Sequence, residues 1–382
     1  MRKLQIVQMN KLLNSAFLIL TTYHLLLTTS CLYCESERRL NVNLTDEKVV
    51  VSLPVDGWDI QTLTSESDEE GEYASMCLDS NDFPNLSFCS KKGVGYLKWT
   101  GNSWEKQYTP SNGETYKFTS IAVSSNFSHI AYYDSTNKDL KYARWDGLSW
   151  DVQTVDSIGE VGEDSSIAVS NDFKHIAYYD STNGDLKYAH WTGSSWNIQM
   201  VDSAGAVGKF TSIAIDSNNF PHIAYYDSTN GDLKYARWTG SSWDIQTVDS
   251  TGEVGEDSSI VVDSNNFPHI AYYDATNRDL KYAHWTGSAW AIQTVDSEGY
   301  VGEYTSITLD AKLPDVTPHV SYYGNSDLKY AYWTGSEWKI QTIDAEGIVG
   351  FDTSIMLDKQ GRPHISYYNY SKKTLKYVTK KK

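Results

Sequence analysis

From Thr211 to Asp249 the apolar residues fall into four short runs: TSIAID (Thr211 to Asp216), PHIAYYD (Pro221 to Asp227), LKYARW (Leu233 to Trp238) and WDIQTVD (Trp243 to Asp249). Each is rich in Ile, Val, Thr, Tyr or Trp and lacks a helical period, so each predicts a β-strand. Between them stand clusters of Asn, Gly, Ser, Asp and Pro, which supply the backbone conformations of tight turns. The whole unit recurs every 46 to 48 residues. Its second tryptophan falls at Trp58, Trp104, Trp150, Trp196, Trp243, Trp290 and Trp338, which marks seven copies of a repeat architecture.

Four strands in some 47 residues is the size of a β-propeller blade. The chain ends predict how the ring closes. The last copy, Thr353 to Lys382, has a first, second and third strand and no fourth, whereas Gly57 to Leu63 (GWDIQTL) is a fourth strand with nothing before it. Joining the two removes the open edge that a linear stack would present to aggregation. First strands beginning near Ser75, Ser120, Ser166, Ser212, Ser259, Ser306 and Ser354 give the matching seven. The expectation is all-β: a seven-bladed β-propeller over residues 55–382, four antiparallel strands per blade, closed by the N-terminal strand.

The 13% aromatic content, with only 8 Pro and 4 Cys, excludes a disordered or disulfide-stapled chain. Residues 1–34 differ in character. Arg2, Lys3 and Lys11 precede an apolar stretch from Leu12 to Leu27 that Tyr23 and His24 interrupt, which reads as an export signal rather than a membrane span. The run Leu27 to Cys31 is similar to a bacterial lipoprotein cleavage site, making Cys31 a candidate lipid anchor. Residues 35–54 read as a polar linker, and the expected location is secreted, periplasmic or at the cell surface. Cys77 and Cys89 fall on the first two strands of the first blade, where a short turn would set them diagonally on one face; two buried thiols is the preferred reading over a disulfide.

The PHIAYYD, LKYARWTG and WxIQTVDS runs resemble those of exported β-propellers of bacteria and archaea, over residues 55 to 382. That resemblance implies fold and export and brings no catalytic residues with it. A weaker similarity is to sialidase-like propellers, although hairpins reading TGSSW, or DGLSW at Asp146 to Trp150, lack the Asp-x-Gly spacing of the Asp box.

Alternating strand directions place the turns between second and third strands, and the connections from each fourth strand to the next blade, on one face of the ring. Most of the 49 Asp and Glu lie there, and a net charge of -17 excludes nucleic acid as a partner while allowing a cation or a basic protein. Asp180-Ser-Thr-Asn183-Gly-Asp185 and its copies offer three oxygen side chains to calcium, but the spacing is not that of an EF-hand, and capping of the turn's own backbone is the preferred reading. No other cofactor is implied. His129, His175, His222, His269, His319 and His364 open six of the second strands; each stands in its own blade, too far from the next to share a metal, and is read as a buried imidazole bonded to a turn or neighbouring blade.

The tryptophan hairpins carry the sharpest binding hypothesis. Trp99/Trp104, Trp145/Trp150, Trp191/Trp196, Trp238/Trp243, Trp285/Trp290 and Trp333/Trp338 form cross-strand pairs, either as structural staples or as flat apolar platforms for sugar rings. One residue before each first tryptophan stands Lys98, Arg144, His190, Arg237, His284 or Tyr332, a row of hydrogen-bond donors on the opposite strand face. The expected function is a non-catalytic, multivalent, lectin-like or adhesive propeller that binds glycans. A glycosidase or lyase at the ring axis is the alternative, with only the first blade and the irregular sixth (Leu313 to Pro318) breaking symmetry enough to host it. A scaffold using the acidic face for a protein partner is the third.

Overall fold

The computed structural model describes residues 57–111, 116–124, 127–170, 173–310 and 316–381, together with the backbone of Asn41–Thr45 and Lys48–Ser52. Those last two strands pair antiparallel within the segment read as a linker. The chain divides into two compact units between Leu53 and Pro54; the segment read as an export signal, and Cys31, lie outside the described residues. The second unit holds seven four-stranded antiparallel sheets, the seven-bladed β-propeller.

Blade 4 shows the plan. Its strands are Val207–Ile215, Pro221–Asp227, Asp232–Trp238 and Trp243–Asp249, hydrogen-bonded in sequence order. In this register His222 opposes Arg237 and Trp238 opposes Trp243. The first strand bulges between Val207 and Ser212, around Phe210 at φ 52°. Such bulges re-aim a strand, and the first strands of blades 2 to 7 all carry one.

Successive blades are tied by one repeated bond. The Ile213 N–H donates to Ser166 Oγ of the preceding blade at 3.2 Å, and Ile260 N–H to Ser212 Oγ at 3.1 Å. The series runs through all seven serines named above, ending with Met76 N–H on Ser354 Oγ at 3.0 Å. The seventh blade is built from Val349–Leu357, Pro363–Asn369, Thr374–Lys380 and Trp58–Thr62, with Trp58 opposite Lys380. The ring therefore closes through the N-terminal strand.

The hydrophobic core lies between blades rather than within one. Leu233, Tyr235 and Val248 of blade 4 pack on Val254, Ile260, Ile270 and Tyr272 of blade 5, all buried. Both faces of a central strand are therefore covered, which is why PHIAYYD reads as continuous bulk instead of alternating. The Val-Gly step that opens most first strands has a steric cause. A Cβ on Gly255, at φ +108°, would lie 2.7 Å from Leu233 Cα of the preceding blade.

The two ring cysteines are free and depart from the expected diagonal pair. Cys77 opposes Asn85, so Cys89 lies four positions further along the second strand, opposite Val94. At about 3.3 Å per residue that offset exceeds disulfide reach. Burial pushes the Cys89 thiol pKa well above its usual value, which suits an inert packing role.

Candidate binding clefts between the blades

Adjacent residues on a strand point to opposite faces, so Arg237 faces blade 5 while Trp238 faces blade 3. Each outer cleft therefore combines the donor row of one blade with the first tryptophan of the next. Between blades 3 and 4 a cleft of about 340 Å³ is lined by His190, Gln199, Asn218, Phe220, Pro221 and Trp238. Between blades 4 and 5 the equivalent space, about 360 Å³, is lined by Arg237, Gln246, Asn265, Phe267, Pro268 and Trp285. A third, about 350 Å³, joins the closing blade to the first through Gln61, Asn81, Phe83, Pro84, Trp99 and Thr379. Spaces of this size accept small ligands.

The two tryptophans of a hairpin divide the work. They are in contact, with Trp238 and Trp243 centroids 5.5 Å apart, as the register predicts. Trp243, however, is turned into the blade boundary. Its Nε1–H donates to Gln199 Oε1 at 3.2 Å and its ring meets Tyr188 edge-on at 5.2 Å. The same bond joins Trp196 to Gln153, Trp290 to Gln246, Trp338 to Gln293 and Trp104 to Gln61. In these five blades the second tryptophan is thus a cross-blade strut, while Trp150 Nε1 is buried without a partner; Trp238 and Trp285 alone of their hairpins line their clefts, and Trp99 lines its cleft together with Trp104.

Four of the six side chains in the donor row keep one unbonded nitrogen. Arg144 Nε, His190 Nδ1, Arg237 Nε and His284 Nδ1 are all buried atoms without a hydrogen-bond partner. Arg237 reaches Asp216 at 3.5 Å with a terminal nitrogen only. Arg144 lies 3.9 Å from Asp151 and over the Phe127 ring at 5.2 Å. His190 stacks on Tyr188 at 5.6 Å and His284 on His269 at 5.8 Å. Burial lowers the pKa of His190 and of His284, which favours the neutral ring.

No protein-family model matches the chain, and no curated protein does. Solved structures do share its fold. An ulvan lyase bound to -[GlcA(1-4)Rha3S]- has 11% identity and a TM-score of 0.56 over 83% of this chain and 95% of its own. YCF48 in complex with a peptide has 13% identity and a TM-score of 0.55, covering 87% and 97%. The endosialidase of phage phi92 has 11% identity and a TM-score of 0.52, covering 88% and 71%. At these identities the likeness is one of fold.

The second-strand histidines are buried, and to the expected turn contact the structure adds a partner within the same blade. Each Nδ1 is bonded to a tyrosine hydroxyl on the third strand of its own blade, His175 to Tyr188 and His269 to Tyr282 both at 2.5 Å. A turn contact is added in some blades, such as His129 Nε2 to Ser124 Oγ at 2.9 Å. The oxygens of the Asp180 turn are also engaged. Asp180 Oδ1 accepts from the backbone of Thr182 and Asn183, while Oδ2 accepts from the Asn183 amide at 3.0 Å and lies 3.0 Å from Lys187 Nζ. Among the described residues, no three His, Cys, Asp or Glu side chains are grouped to bind a metal directly.

Sequence reading missed the cleft's glutamine and its Asn-Phe-Pro rim. Both recur at fixed positions, but a glutamine in a strand and an asparagine in a turn have ordinary structural explanations. Only the ring brings Gln199 of blade 3 beside Asn218 of blade 4. Residues 311–315 of the irregular sixth blade lie outside the described residues.

Proposed function

We propose that this protein is an exported, multivalent carbohydrate-binding propeller that takes sugar rings in the clefts between adjacent blades. The observation that carries this reading is the pairing, in one cleft, of an indole with buried nitrogen donors that have no partner. The face of Trp238 or Trp285 would stack on the apolar side of a pyranose, while His190 or Arg237 and the neighbouring amides would bond its hydroxyls. An unpartnered buried donor costs about 1–3 kcal/mol, which a ligand hydroxyl would recover. Sugar-directed proteins stand among the fold's neighbours, including the lyase with its bound saccharide. Copies of one cleft around a rigid ring suit a repeating target, since linked weak sites gain by avidity. Export by the N-terminal segment would place the ring where such polymers occur.

A glycan array probed with the whole chain, with and without calcium, tests the reading, followed by titration of tryptophan fluorescence. Binding should fall at least tenfold in a Trp238→Ala/Trp285→Ala double variant. Absence of binding to any glycan, or binding that this variant leaves unchanged, removes the proposal. Release of new ends from a bound polysaccharide would replace it with catalysis.

A further inference from the structure

The bulges of six first strands, and in blade 1 the turn just before Ser75, bring seven residues with left-handed backbone to one axial cavity: Tyr73, Phe118, Asp164, Phe210, Asp257, Tyr304 and Asp352, with φ from 49° to 54°. Aspartate occupies blades 3, 5 and 7, and an aromatic residue occupies the others. Each carboxylate accepts, through Oδ2, the backbone N–H of the aromatic residue in the next blade. The distances are 3.0 Å from Asp164 to Phe210, 2.9 Å from Asp257 to Tyr304 and 2.7 Å from Asp352 to Tyr73. The second oxygen of each has no such bond assigned, and all three residues line one axial cavity of about 190 Å³.

One residue further along is a circle of hydroxyls. Thr119, Ser165, Ser258 and Thr353 donate to the carbonyls of Tyr73, Phe118, Phe210 and Tyr304 in the preceding blade. Thr211 and Thr305 do not. Their hydroxyls have no partner, although the residues are only 7% and 8% exposed and line the same cavity. They follow the aspartate blades 3 and 5, while blade 1, which follows the third aspartate, has Ala74 at this position. Buried hydroxyls left open beside carboxylates are uncommon unless water or an ion completes them.

We infer that the axial cavity is a binding site for one hydrated divalent cation of the magnesium class, held by Asp164, Asp257 and Asp352 through its water shell, with Thr211 and Thr305 bonding the same waters. Direct coordination does not fit, because the carboxylates sit in alternate blades and form no inner-sphere cluster. A hydrated ion does fit. The cavity has room for about six waters at roughly 30 Å³ each, and magnesium characteristically retains several of its waters. No lysine or arginine lines the cavity to balance the three carboxylates. This site is independent of the outer clefts.

Isothermal titration of magnesium chloride into the chelator-treated whole chain tests it, with the melting temperature as second readout. The expected result is one ion per chain and a higher melting temperature. Asp257→Asn/Asp352→Asn should weaken binding at least tenfold, since asparagine keeps the backbone bond through its oxygen but not the charge. Thr211→Val/Thr305→Val should weaken it several-fold, and Glu337→Gln in an exposed hairpin should leave it unchanged. Absence of saturable binding at millimolar magnesium, equal loss in Glu337→Gln, or binding of putrescine in its place would each overturn the inference.

Discussion

Met76 N–H bonds to Ser354 Oγ at 3.0 Å although the residues stand 278 apart in sequence. It is the same bond that joins every other pair of neighbouring blades, so the closure between blades 7 and 1 has no special geometry. What is special is the seventh sheet, which borrows Trp58–Thr62 from the other end of the chain. Trp58 is 4% exposed and meets Tyr330 of blade 6 edge-on at 5.5 Å. Trp58→Ala is expected to cost about 3–5 kcal/mol, as buried large-to-small changes do, whereas Ser354→Ala should cost about 1 kcal/mol. Urea unfolding midpoints check both. A smaller loss for Trp58→Ala than for Ser354→Ala would mean that the strand is dispensable.

The two tryptophans of a hairpin should separate by experiment. Trp243 holds Gln199 and Tyr188 of blade 3, so Trp243→Ala is expected to destabilise the ring by about 2 kcal/mol. Trp238 lines an open cleft, and Trp238→Ala should change stability by less than about 1 kcal/mol while removing much of any fluorescence response to ligand. Denaturation of the two variants side by side decides the matter, and equal losses would refute the division of roles.

The repeat made the ring legible because strand pattern, copy number and an unfinished last blade are all linear features. The hairpin partners Trp238 and Trp243, and the position of Arg237 on the opposite face, were legible for the same reason. Strand geometry fixes them locally. The blade-to-blade contacts were not, because they join residues a whole repeat apart: Trp243 with Gln199, or Ser212 with Ile260. Variation among nearly identical copies hid the axis as well. Asp164, Asp257 and Asp352 look like ordinary loop acids until the bulge turns them inward.

Much of the acidic charge is likewise internally matched. Asp202, at the end of a fourth strand, accepts from Tyr225 at 2.7 Å and Lys234 at 2.6 Å, both in the next blade. Burial pushes its pKa up, but the bonds from Lys234 and Tyr225 prevail and hold it below the ordinary value. Asp202→Ala would leave the nearly buried Lys234 ammonium with only Asp227 at 3.9 Å, and the buried Tyr225 hydroxyl without its acceptor, and should cost about 3 kcal/mol. Tyr225→Phe, which keeps the ring, should cost about 1 kcal/mol. Thermal unfolding of these variants gives the comparison, and the account fails if the aspartate change is the milder one.

The buried histidines set the response to acid. Burial lowers the pKa to about 3 for His129 and about 4 for His175, His222, His269 and His319. Their rings stay neutral in the fold, whereas in the unfolded chain they take up protons near the ordinary value of 6.5. The unfolded state therefore binds more protons between about 6.5 and 4, and the stability these groups permit is present above 6.5 and lost as pH falls through that window. The axial aspartates have the opposite sign. With folded pKa values raised to about 6 or 7, they protonate first in the native ring and favour it as pH falls from 8 toward 4. Five large histidine shifts outweigh three aspartate shifts, and they begin lower on the scale. In the presence of a chelator, the melting temperature should rise slightly from pH 8 to 6.5 and then drop by pH 5. Asp257→Asn/Asp352→Asn should flatten the first change and deepen the second, because the protonation of these two carboxyls in the fold no longer offsets the histidines. A melting temperature that climbed steadily down to pH 5 would show that the histidines are not held neutral.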